Sequence, residues 1–296
     1  APISGSSPGV GVVGYMLGGG FGLMSRKYGL AVDNLVSAKM VLADGSLVRV
    51  SESENPDLFW AIRGGGGAFG VVVEVEIGLV AHGSVFGGNV MFDASNARQV
   101  LSAWSEWTKT APDEITSALV IITFPPVPFV PEFLHGRSMV IFAACAACAE
   151  GEALNALAPI RNLPGAEFDS FRWMSYAESG TIFNDPLEPL PVIGSGCTLR
   201  TFDEDTIDAM LTAIGPIPQS PSLMIQIRQN GGAIGRVPAE ATAVGDRRSA
   251  GFLAHFLGVP MGPHTPESIG AHGQGCLLAL RPWTLAPGPL NWVGES

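Results

Sequence analysis

The stretch from Ser7 to Asn34 constrains this chain more than any other. It reads SPGVGVVGYMLGGGFGLMSRKYGLAVDN, with glycine at 9, 11, 14, 18, 19, 20, 22 and 29. A long regular helix is disfavoured here, because each interior glycine costs about 1 kcal/mol relative to alanine. Three readings compete. In the first, Gly9-x-Gly11-x-x-Gly14 spells a dinucleotide fingerprint, with Asp33 about twenty residues on. That motif needs an apolar strand before it and a helix after it. Residues 1–7 are not an apolar strand, and Gly18, Gly19, Gly20 and Gly22 would fall in the first turns of the helix. In the second, the stretch is a flexible loop, although its glycines alternate with apolar residues and end in a defined RKYGL-x-x-DN string. In the third, it is a backbone surface pressed against a flat ligand. Glycines allow this because main-chain N–H groups can approach where a Cβ would stand off.

The rest of the composition narrows the class. Among 296 residues, 47% are hydrophobic and 15% charged, the latter low against about 25% for globular domains. The net charge of −11 and the lack of a basic patch exclude a nucleic-acid surface, which needs clustered cations, and speak against an anionic lipid surface. The longest apolar run, residues 139–149, falls short of the roughly 20 residues a membrane helix takes. No signal peptide opens the chain and its first residue is alanine, as in a processed or truncated chain. Compartment and oligomeric state are left open. Of the four cysteines, Cys145 and Cys148 form a CxxC. It ends an apolar strand-like run, and no further pair follows at zinc spacing. Small buried hydrophobes are therefore the expected role. His264 and His272 lack paired carboxylates, so no metal site is expected.

Along the chain, Val36, Ala38, Met40 and Leu42 alternate as in a strand, Asp44-Gly45 makes a turn, and residues 47–50 return. Asn55-Pro56-Asp57 predicts a helix start, with Asn55 as the cap. Residues 71–80 predict a strand with Val73, Val75, Ile77 and Leu79 on a buried face. Beyond residue 81, helical stripes at Val100, Leu101, Trp104, Trp107 and at Ile207, Met210, Leu211, Ile214 alternate with strands near 119–123, 139–143, 223–228 and 251–257. This predicts an α+β fold with an antiparallel sheet.

The string from Gly11 to Gly22, then Arg26-Lys-Tyr-Gly29-Leu and Asp33-Asn34, resembles a cofactor-binding stretch of the berberine-bridge-enzyme-like FAD-linked oxidases. So do Glu54-Asn-Pro-Asp-Leu-Phe-Trp-Ala-Ile-Arg63-Gly-Gly-Gly-Gly67 and Phe69-Gly70-Val71-Val72. Gly231-Gly232-Ala233, Arg281-Pro282-Trp283 and Leu290-Asn291-Trp292 extend the resemblance more weakly. It implies part of a vanillyl-alcohol-oxidase-type FAD-binding domain (1–82), a substrate domain (83–275) and the start of a return to the flavin (276–296). It also implies that Ser7, Val10, Gly11, Gly14, Gly18, Gly19, Gly20, Gly22, Gly29, Asp33, Asn34, Gly70, Val71, Val72 and Asn291 contact FAD. The implied chemistry is hydride transfer from a small alcohol, sugar or secondary metabolite to flavin N5, with O2 as electron acceptor.

Departures from the family pattern shape the expectations. The position of the cysteinyl flavin link is Ser7, which excludes that link. The resemblance places the histidyl link and the pyrophosphate loop upstream of Ala1, so FAD binding is expected to be weak. The oxygen-access position is Val10, which favours an oxidase. The two base positions fall on Leu253 and Trp292, neither able to take a proton. His255 shares the strand face of Leu253 and is the candidate base, with an imidazole pKa suited to neutral pH. Gln226 and Arg228 share a polar strand face that either contacts substrate or is solvated. Two other readings stand beside this one, a non-catalytic remnant of the fold and a nicotinamide-dependent dehydrogenase.

Overall fold

The computed structural model describes residues 1–186, 188, 190–285 and 291. The glycine-dense stretch carries two short helices, α1 (Val12–Leu17) and α2 (Ser25–Tyr28). Helix α1 stops at the glycine triplet, where Gly19 and Gly20 take φ of 115° and 73°, values that favour glycine over any L-residue. The expected hairpin follows as β1 (Leu35–Val41) and β2 (Leu47–Ser51), then α3 (Pro56–Gly65) and β3 (Val71–Ile77). These strands form a small antiparallel sheet in the order β2-β1-β3.

Two local expectations are corrected. Asn55 precedes α3 but makes no side-chain cap. It sits in the left-handed region at φ 50°, which Asn tolerates, and its Nδ2 donates to the Arg49 carbonyl at 2.7 Å. Strand β3 does not bury a regular face. Lys39 pairs with Glu74 but Met40 pairs with Val72, so Val73 is an extra residue. This bulge turns Val73 out to solvent, while Val72, Val75 and Ile77 pack on the core and Leu79 beyond the strand is exposed.

The remaining strands build one larger sheet. They are β4 (Ser84–Asp93), β5 (Ile115–Thr123), β6 (Ser138–Ala146), β7 (Ala166–Asp169), β8 (Arg172–Ser175), β9 (Ile193–Leu199), β10 (Met224–Gln229), β11 (Phe252–Gly258) and β12 (Thr284–Leu285). The order is β12-β9-β11-β10-β5-β6-β4-β7, with β8 also on β4, and every pairing is antiparallel. Helices α4 (Ala97–Thr108) and α6 (Glu204–Ile214) pack on one face through the predicted stripes, and α5 (Glu150–Arg161) joins them through Ala153, Leu157 and Ile160; α7 (Ala233–Arg236) is a single turn between β10 and β11, and α8 (Pro266–Leu280) joins the same helical layer. Asp203 caps α6 by accepting from Thr206 N at 3.1 Å. The opposite face, through Val85, Ala143, Cys145 and Leu253, meets the apolar residues of the first 80 positions. The fold is α+β. Helix α8 runs unbroken through position 275 and packs on β9 and β11.

The cysteines fit the packing role. Cys145 is buried in β6, and burial pushes its thiol up to about 12, out of the range of reactive thiolates. All four are free.

Candidate active site

A cavity of about 710 Å³ opens where the glycine-rich stretch meets the larger sheet. Its size lies within the range of small-molecule and cofactor sites. From the first stretch come Ser7, Val10, Gly14 and Asn34, and from the far end of the chain Asn291. Asn291 Nδ2 donates to the Tyr15 carbonyl at 2.8 Å. Strand β10 contributes Gln226 and Arg228, and β11 contributes His255. Gln226 and His255 are directly paired across the two strands, so their side chains share the cavity face. The polar face of β10 is not solvated, since Gln226 and Arg228 are both buried.

The predicted cofactor residues divide into two groups. A Cβ built on Gly11 or Gly14 would meet nothing within 4 Å, and Gly14 lines the cavity, so its backbone is open to a ligand, whereas Gly11 does not line it. Gly18, Gly19, Gly20, Gly22 and Gly29 do not line the cavity. A Cβ at Gly20 would come 2.7 Å from Ala31 Cβ, and one at Gly22 would come 2.6 Å from the Ser4 carbonyl. These glycines admit neighbouring protein, not the cavity. Gly70, Val71 and Val72 lie at the start of β3 and also do not line it. Asp33 is held elsewhere: its carboxylate accepts two bonds from Arg247 Nη1, at 3.0 and 2.8 Å, and one from Leu30 N. With Asp33 so engaged, no strand before Gly9 and no parallel pair in either sheet among the described residues, the dinucleotide fingerprint lacks its structural context. Trp292 lies outside the described residues.

Electrostatics at the cavity are set by a buried cation. Arg228 donates from Nε to Gln226 Oε1 at 2.9 Å and from Nη2 to Ser6 Oγ at 3.0 Å, and its guanidinium lies over Phe183. Ser6 Oγ in turn donates to Asp185 at 2.8 Å. Burial lowers the Arg228 pKa to about 10, against the pull of Asp185, so it stays charged near neutral pH. The His255 imidazole lies against Gly194, where a Cβ would come 2.8 Å from Nε2. Burial, with Arg228 adding to it, pushes His255 down to about 4. This corrects the expectation of a near-neutral pKa: the imidazole is neutral at physiological pH because its charged form would be desolvated beside a cation. Burial likewise raises the Tyr15 phenol, with Arg228 opposing. Its hydroxyl is buried without a hydrogen-bond partner among the described residues, so it keeps its proton and acts as a donor.

Sequence reasoning missed Ser6, Tyr15, Phe21, Asp185, Met224 and Leu257, all of which line the cavity. Ser6 and Tyr15 were within sight, flanking or interrupting the glycine pattern. Asp185 sits in irregular chain and had no signal.

Residues 1–51 match the family model described as FAD binding domain. A xylooligosaccharide oxidase from Thermothelomyces thermophilus is 47% identical over 107 residues, 35% of this chain and 22% of that protein. Berberine bridge enzyme-like C-2 from Nicotiana tabacum is 26% identical over 279 residues, 86% of this chain and 49% of that protein. The structure of a xylooligosaccharide oxidase from Myceliophthora thermophila C1 in complex with xylobiose superposes with a TM-score of 0.80 at 25% identity, covering all of this chain and 65% of that one. The chain is related to the berberine-bridge-enzyme-like FAD-linked oxidases. The cofactor that goes with this relationship is FAD. The chain spans about half or less of the length of these two curated relatives. The residues present fit a flat ligand: Gly14 leaves space for it at the cavity wall, and the orphaned Tyr15 hydroxyl offers it a donor. Among the described residues no helix is long and apolar enough to cross a membrane, and no group of three or more potential ligands for a metal occurs.

Proposed function

We propose that the chain forms the substrate wall and part of the FAD site of an oxidoreductase acting on a hydroxyl-bearing small molecule, a sugar above all. The observation that carries this is the meeting of the open glycine Gly14 with Gln226, Arg228 and His255 around one cavity. Residues 1–82 supply the cofactor side, with Ser7, Val10, Gly11, Gly14 and Asn34 as contacts, joined by Asn291 from the far end of the chain. Residues 83–275 supply the substrate wall, and Asn291 reaches Tyr15. FAD, when bound, supplies the acceptor for a hydride leaving the substrate carbon, with O2 as the final acceptor. Arg228 and Gln226 orient substrate hydroxyls by charge-assisted and neutral hydrogen bonds. His255, held neutral, accepts a hydrogen bond from the reacting hydroxyl and takes up its proton as the hydride leaves the carbon. The apolar walls Met224 and Leu257 exclude water from that bond.

Titration of the purified chain with FAD tests this reading. A bound-flavin absorption spectrum is expected at FAD concentrations high enough to fill a weak site. Gly14→Leu should weaken FAD binding at least about tenfold by filling the space a ligand needs, while leaving the unfolding midpoint near that of the parent. An absence of binding, or a titration indifferent to Gly14→Leu, would sink it.

A further inference from the structure

Strand β9 turns glycine toward the histidine of the cavity. Ser195 faces Gly273 of α8, and Cys197 belongs to the core under the helices. Successive residues of a strand alternate between faces, so Gly194 and Gly196 lie on the cavity side. His255 is paired directly with Gly196, and Leu257 with Gly194. Gly194 is therefore the diagonal neighbour of His255, within reach of a long side chain. The imidazole makes use of that reach. A Cβ built on Gly194 would stand 2.8 Å from His255 Nε2, 3.5 Å from its Cε1 and 3.0 Å from Leu257 Cδ2. The first distance is well inside the roughly 3.5 Å at which unbonded atoms settle. The Leu257 methyl ends a flexible side chain and can swing aside, but the ring can clear a Cβ only by moving off β9.

Backbone conformation does not account for this glycine. Gly194 lies inside a strand and is not among the positive-φ residues, so alanine would suit its main chain. A glycine in such a place weakens the strand and marks a close approach by another group. Here the approaching group is the imidazole. Around the ring, Arg228 on β10 supplies the nearby charge, and β9 presents glycine at both facing positions. Tyr15 and Asp185 line the same cavity from the glycine-rich stretch and from the chain that precedes β9.

We propose that Gly194 is a positioning residue for His255: its missing side chain forms a notch that lays the imidazole against β9 and holds it back from the cavity. The inference rests on the reading of His255 as the proton acceptor. Without the notch the ring would project further into the cavity, taking substrate space and gaining water. Kept in the notch, it is desolvated and stays neutral above about pH 4, in the form that accepts a hydrogen bond.

The test is an NMR titration of the histidine ring protons of the whole chain from about pH 4 to about pH 7.5. The His255 signal is the one missing from His255→Gln. In Gly194→Ala its midpoint should rise by about one pH unit or more, because the displaced ring regains water. In urea, Gly194→Ala should lower the unfolding midpoint of the parent but not that of His255→Ala, where the colliding ring is gone. If Gly194→Ala alone does not fold, recovery of folding in the double variant Gly194→Ala/His255→Ala supports the notch, and persistent failure overturns it. An unshifted His255 midpoint, or a destabilisation that persists in His255→Ala, would also overturn the notch while leaving the proposed oxidoreduction intact. A shifted midpoint in a chain that takes up no FAD would keep the notch and remove the oxidoreduction.

Discussion

The two faces of the larger sheet solve the burial problem in opposite ways. The helical face is apolar: Trp104 is fully buried, edge-on to Phe202 and Phe252, with its indole N–H on Ser117. The face toward the first 80 residues carries buried charge. Arg26 spreads its guanidinium over the carbonyls of Asn230, Pro112, Ile115 and Ala111 and the Asp113 carboxylate. Arg247 holds Asp33, Lys27 reaches the Ala147 carbonyl at 2.5 Å, and Arg228 faces the cavity. Apolar packing is non-directional and tolerates small shifts, whereas hydrogen bonds to a buried cation fix distance and angle. The lesson is that the face needing accurate placement of a cofactor stretch is the one built from directional contacts.

Three perturbations sharpen that contrast. Trp104→Ala should have the largest effect, about 4 kcal/mol by cavity formation, read as a shift in the urea midpoint. Any ligand binding in the cavity should survive wherever the variant is folded. Arg26→Ala should cost about 3 kcal/mol, because it leaves the buried carbonyls of Asn230 and Ile115 without their donor. Unlike Trp104→Ala, it should weaken FAD binding under conditions where the chain remains folded. Equal effects of the two on binding would erase the distinction between the faces. The smallest effect is pH-dependent. His255 is held at about 4 in the fold, against about 6.5 unfolded. Between these values the unfolded chain binds a proton the native state excludes. His255 therefore adds no penalty above about pH 6.5, and stability falls by about 2 kcal/mol as the pH drops toward 4. Comparing urea unfolding near pH 7 and pH 4.5, this slope should be reduced in His255→Gln.

Periodicity made the helical face legible in advance. The stripes of α4 and α6 and the four long central strands follow from residue patterns of 3.6 and 2, and the structure keeps them. The cavity was legible only in part. Gln226, Arg228 and His255 could be placed on strand faces, but that Gln226 stands directly opposite His255 is a matter of register. The bulge at Val73 and the left-handed Asn55 escaped the pattern because each is a single-residue departure imposed by neighbours.

The amino-acid order alone determined the α+β class, the glycine-rich segment and its resemblance to FAD-linked oxidases, because these rest on local spacing. Tertiary structure decided which glycines face open space and which admit neighbouring chain. It decided that Asp33 belongs to Arg247, that His255 is neutral, and that its imidazole lies against Gly194. Each of these depends on which distant groups surround a residue and exclude water from it, and local spacing does not encode that.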